Sequence, residues 1–177
     1  MRENNWDDSL RLGGKGEKIV SSAIEEALPR LILRKLRYWS NRVEQKSGID
    51  MILRLDEARV EVKTRNHKAL KYNDIAVETV SVIEENKPGW IFTSRADYIA
   101  YVILDRSERR ILRGWLLKMP DFRTWFLSNV QKYSKHMTKT RRGSREWHTV
   151  FATVPLKDIP RSILYQFYPS RKEECRH

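Results

Sequence analysis

Cysteine is almost missing from this chain: its 177 residues include one, Cys175, close to the C-terminal end. An intrachain disulfide is therefore excluded, and so is a cysteine-built zinc site. Both absences suit a reducing compartment. Long apolar runs are missing too. The longest, Ile99–Leu104, falls far short of the roughly 20 residues that span a bilayer. The stretch Met1–Asp8 is polar and acidic and lacks the basic and apolar blocks of a secretory signal. The expectation is a soluble, cytoplasmic protein with no membrane partner. Gly13-Gly14-Lys15-Gly16 has neither the span nor the ending of a P-loop, and no dinucleotide fingerprint is present. His67, His136, His148 and His177 lack metal-ligand spacing and read as ordinary histidines.

Acid is in short supply as well. Asp and Glu number 23 against 35 Lys and Arg, a net charge of +12 and a pI near 10.0. Self-repulsion of that size is relieved by an anionic partner. Nucleic acid is the leading candidate, with acidic membranes or proteins as the other classes. Hydrophobic residues make up 40%, enough for a core. Without repeats or low-complexity linkers, residues 1–177 read as one domain.

Within it, residues 1–15 are polar and glycine-containing and predict a loose arm. Ile19, Val20, Ala23, Ile24, Ala27 and Leu28 predict a helix from Gly16 that Pro29 ends or kinks. Ile49–Leu55 and Arg59–Arg65 alternate around an Asp56-Glu57 turn, which predicts a hairpin. Ile75–Ile83 reads as another strand, Tyr98–Leu104 as a central strand buried on both faces, and Arg110–Leu117 as its neighbour. Pro120 suits the first turn of a helix with Phe122, Trp125 and Phe126 on one side. A basic loop at 135–145, a strand over Trp147–Val154 and a helix from Leu156 to Phe167 would complete the chain. The fold class is α/β or α+β, with a central mixed sheet flanked by helices.

The predicted hairpin carries the chemistry. Pairing Leu55 with Ala58 puts Leu53 opposite Val60 and Met51 opposite Val62, an apolar face throughout. The other face then gathers Asp50, Glu61 and Lys63. Two carboxylates, joined by the Val62 carbonyl oxygen, suit Mg2+ or Mn2+, which takes oxygen ligands and leaves room for water and phosphate. Such a cation lowers the pKa of a water, and Lys63 would orient that water at a phosphodiester. The plainer reading of Glu-x-Lys is a solvated ion pair. Glu17 falls inside the predicted apolar stripe of the first helix and becomes a candidate outer ligand; the plainer reading there is a helix-dipole contact. Glu78, on the next strand, could reach the metal, though the plainer reading is a solvent-facing strand glutamate.

Gly13-x-x-x-Glu17 opening a helix, Asp50 on a strand and Glu61-Val62-Lys63 on the next resemble the PD-(D/E)XK nuclease superfamily. The closest flavour is that of archaeal and viral Holliday-junction resolvases and related phage endonucleases. The resemblance covers roughly residues 13–104, with Ile49 where the family commonly has proline. It implies a restriction-endonuclease-like core over 16–104, with 105–177 as an extension. It also implies catalysis by Glu17, Asp50, Glu61 and Lys63, metal held by Glu17, Asp50 and Glu61, action on branched or duplex DNA, and a homodimer. Virus- or phage-encoded origin is in keeping with it. Arg65, Lys68 and Lys71, followed by Lys135, Lys139, Arg141, Arg142 and Arg145, supply the DNA-binding charge. The alternative class is a non-catalytic nucleic-acid-binding module on the same fold.

Overall fold

The Asn5 side chain accepts a hydrogen bond from the Asp7 N–H at 2.9 Å, and Asp7 and Asp8 place negative charge on the turn that follows. Both features favour a helix start. Helix α1 (Trp6–Leu36) begins there, directly after strand β1 (Arg2–Asn5), and continues past Pro29. The computed structural model describes residues 2–36 and 59–168. The loose arm expected at 1–15 is therefore corrected: residues 2–5 are a strand and 6–15 the first turns of a helix. The expected strand 49–55, with Asp50, lies outside the described residues.

The remaining strands are β2 (Val60–Arg65), β3 (Asp74–Val82), β4 (Lys87–Pro88), β5 (Tyr98–Leu104), β6 (Ile111–Lys118), β7 (Lys135–Arg142), β8 (Arg145–Pro155) and β9 (Leu164–Tyr168). Two further helices are α2 (Trp90–Thr93) and α3 (Met119–Asn129), the latter with Pro120 in its first turn as expected. Instead of one central sheet there are two mixed ones among the described residues. Their strand orders are β2-β5-β6-β9 and β1-β7-β8-β3-β4.

β5 explains how they meet. It pairs with β2 in parallel and with β6 antiparallel, so it is central to its sheet. Ile99, Tyr101 and Ile103 enter a core shared with Ile75, Val77, Ala152 and Val154 of the five-stranded sheet and with Phe122 and Phe126 of α3. Ala100, Val102 and Leu104 point the other way, into a second cluster with Val20 of α1. The four-stranded sheet thus lies between α1 and the main core. No helix among the described residues is long and apolar enough to cross a membrane.

Two expectations for the later chain are corrected. The basic segment 135–145 is not a flexible loop: it is β7, a turn at Gly143 and the first residue of β8. The segment from Leu156 is a short 3-10 turn followed by β9 rather than a helix. Leu164, Tyr165 and Gln166 pair with β6, so β9 is that sheet's outer strand.

Candidate active site

Strand alternation decides which face of β2 meets which layer. Val62 packs in the α1 cluster, and α1 approaches so closely at Gly16 that a Cβ there would lie 1.9 Å from Thr64 Oγ1. Glu61, Lys63 and Arg65 must then project from the opposite face, toward the main core's rim. Lys63 Nζ lies 2.5 Å from Glu61 Oε1, with the two side chains 29% and 33% exposed. The same ammonium sits 5.6 Å from the centre of the Trp90 ring, a cation–π distance.

β3 completes the cluster. Its Glu78 feels the charges of both Lys63 and Glu61 and accepts hydrogen bonds from the Trp90 N–H and from Ser81. Burial is the largest influence on it and holds its carboxyl above the ordinary value, with Glu61 adding to the rise and Lys63 opposing it. For Glu61 burial also pushes upward, but hydrogen bonds from Lys63 and Ser94, with the Lys63 charge, bring it below the ordinary value. Two carboxyls beside one lysine are therefore displaced in opposite directions. Such divergence is typical of sites that assign different roles to like groups. The solvent-facing position expected for Glu78 is corrected: it is half-buried and feels the charges of Lys63 and Glu61.

Helix α2 is held in place to serve this cluster. Gly89 approaches β3 so tightly that a Cβ would lie 2.2 Å from the Glu78 carbonyl oxygen, and its N–H donates to Thr79 O at 3.0 Å. Arg123 of α3 donates to the Ile91 and Ser94 carbonyl oxygens, each at 2.6 Å. Trp90, Ser94 and Arg123 went unassigned in the sequence because nothing local marks them. The usable signal was Pro88-Gly89, which fixes where the chain turns onto β3.

Glu17 does not join the cluster. It is exposed, about 100° round the helix from buried Gly16, and α1 lies across the sheet from Lys63. The inward direction expected for it is corrected, since Gly16 and Val20 carry the buried face. Among the described residues no three His, Cys, Asp or Glu side chains are grouped to hold a metal ion. Glu61 and Glu78 remain as a pair of oxygen donors, a number that suits Mg2+ when water and phosphate complete its shell.

The basic residues divide. Arg65 is built into the sheet junction, with Asp74 Oδ1 and the Tyr101 hydroxyl each at 3.2 Å from Nη1. Lys68 and Lys71 are exposed on the 3-10 turn His67–Lys71. Lys135 is exposed, whereas Lys139 pairs with Glu146 at 2.6 Å, Arg142 with Asp7 at 3.5 Å, and Arg145 with Glu85. Arg141 donates to the Gly143 carbonyl oxygen. An acid-free segment in sequence thus borrows acids from β8, α1 and the turn after β3. No protein-family model matches this chain, and no curated protein or solved structure matches it either.

Proposed function

We propose that this protein is a metal-dependent DNA endonuclease of the PD-(D/E)XK kind, with its site at Asp50, Glu61, Glu78 and Lys63. The observation that carries the reading is the Lys63–Glu61 pair on β2, with half-buried Glu78 of β3 near enough to feel both charges. Glu61, Glu78 and Asp50 would hold Mg2+ or Mn2+, with the Val62 carbonyl beside them. The cation supplies Lewis-acid polarisation of the scissile phosphate. Lys63 offsets charge on the phosphate oxygens and orients the attacking water. It must first exchange its bond to Glu61 for one to substrate, and an ammenable feature is that the pair is partly open to solvent.

The net charge of +12 favours a polyanionic substrate. Selection of branched DNA, a two-fold dimer and a cytoplasmic site of action extend the reading through the resemblance. The test is nicking of supercoiled plasmid with Mg2+ or Mn2+ against EDTA. Glu61→Gln and Asp50→Ala are expected to abolish nicking while circular dichroism keeps its wild-type form. Nicking by either variant at the wild-type rate removes the proposal. A second reading, a non-catalytic nucleic-acid-binding module, draws on the ion pair that already occupies Lys63 and on the distance of Glu17. It predicts metal-independent binding and no nicking by the wild type.

A further inference from the structure

The five-stranded sheet has a face that the main core does not use. Along β8, Ala152 and Val154 point into that core, so Trp147, Thr149, Phe151 and Thr153 point away from it. Across the ladders, Phe151 stands opposite Glu78 on one side and opposite His136 on the other. The Phe151 and His136 rings lie 5.5 Å apart, with His136 exposed and Phe151 half-buried. One line across three strands therefore runs from Glu78, where the β3–β8 register shifts and the Lys63 charge is felt, over two adjacent rings. Farther along the same face the first turn of α1 covers the sheet: Trp6 packs on Trp147 at 5.4 Å, and Arg142 and Arg145 pair with Asp7 and Glu85, so the open part of the face is the stretch around Phe151 and His136.

We propose that this face binds an unpaired nucleotide strand, with a base stacked on Phe151 and His136 and the backbone led toward Lys63. A base offers its π-face to a ring whatever its identity, and the sheet presents rings flanked by threonine side chains. A duplex keeps its base faces internal and is read through its grooves by elements that protrude. This face is a pleated strand surface with its rings set among Thr138, Thr149 and Thr153, which fits a flat base better than a groove. The charge of +12 supplies the complementarity to phosphate. The inference rests on the nuclease reading in that it names the strand delivered to the site.

Binding is measured in EDTA, so that it does not depend on cleavage. Fluorescence anisotropy would compare a short labelled oligothymidylate, its ribonucleotide counterpart, an abasic strand of the same length and a duplex. The oligothymidylate is expected to bind more tightly than the abasic strand and the duplex. His136→Ala and Phe151→Leu are each expected to weaken it about tenfold, leaving the abasic strand unaffected. Preference for the ribonucleotide strand would assign RNA and the reverse would assign DNA; either supports the stacking surface. Because His136 is exposed, its variant should melt at the wild-type temperature, which separates lost stacking from lost folding. Equal binding of duplex, or wild-type affinity in both variants, overturns the proposal. So does displacement of the strand by an equimolar polyglutamate, which would mark an acidic protein surface as the partner. A wild type that binds the strand in EDTA yet leaves it uncut with Mg2+ keeps this proposal and sinks the nuclease reading.

Discussion

Glu78 and Glu61 both feel the Lys63 charge, yet burial wins at Glu78 and hydrogen bonding wins at Glu61. A carboxyl whose folded pKa is raised costs the fold stability as pH climbs from its unfolded value through its folded one. Glu78→Gln is therefore expected to raise the melting temperature in EDTA at pH 8. The gain should shrink to nothing near pH 4, where both forms are neutral. Mg2+ should reverse the order, stabilising the wild type and not the variant, because the cation needs the carboxylate. Differential scanning fluorimetry across pH, with and without Mg2+, checks both halves. Equal melting temperatures at pH 8 would show that Glu78 is not strained by its surroundings. Glu84 is the opposite case. The His148 side chain and backbone N–H both donate to it and hold its carboxyl at about 2. That contribution is present above the ordinary carboxylate range and is lost as pH falls toward about 2. Glu84→Gln should melt below wild type at pH 7, with the gap closing on acidification.

At the scale of elements, the site depends on how closely α2 approaches β3. A Cβ on Gly89 would meet backbone, 2.2 Å from Glu78 O and 2.8 Å from Thr79 N, so neither neighbour can rotate aside. Gly89→Ala is expected to cost about 1–3 kcal/mol and to pull the Trp90 N–H away from Glu78. Thermal melting measures the first, and a larger pH-dependent cost of Glu78 measures the second, since the Trp90 N–H draws that carboxyl down. The elements also show what a sequence can and cannot reveal. β5 was legible because burial on both faces demands an unbroken apolar run, Ile99–Leu104. The facing of Glu61 and Lys63 was legible because a period of two follows from the apolar face alone. β7 was not, since Lys135, Lys139, Arg141 and Arg142 mask its alternating His136, Thr138 and Thr140, and the acids that pair with it lie outside it, Glu146 on β8 and Asp7 on α1. α1 was misplaced by its glycines, although Asn5 with Asp7 and Asp8 carried a capping pattern that marks its start. That shift also misdirected Glu17, because the buried stripe runs through Gly16, a residue with no apolar side chain to announce it.

For the whole molecule, the excess of base over acid is partly spent on internal pairing, and what remains sets the response to salt. Each phosphate contact contributes about −0.9 to the slope of log affinity against log salt on duplex DNA. Arg142 is bonded to Asp7 of α1, whereas Arg141 reaches the turn at Gly143. Reversing both to glutamate should weaken binding to all sequences alike and flatten the salt slope; unchanged affinity would remove the β7–β8 hairpin from the nucleic-acid surface. The hairpin's other neighbour is β1, which pairs with β7 in parallel, Arg2 opposite Thr138 and Asn5 opposite Arg141. The contact that closes this sheet therefore joins segments separated by most of the chain, and loop closure over such a span is slow. During synthesis β1 emerges well before β7, and this pairing must wait until β7 has left the ribosome. Its polar sequence, Arg-Glu-Asn-Asn, keeps that waiting edge from pairing with a neighbouring chain in the meantime.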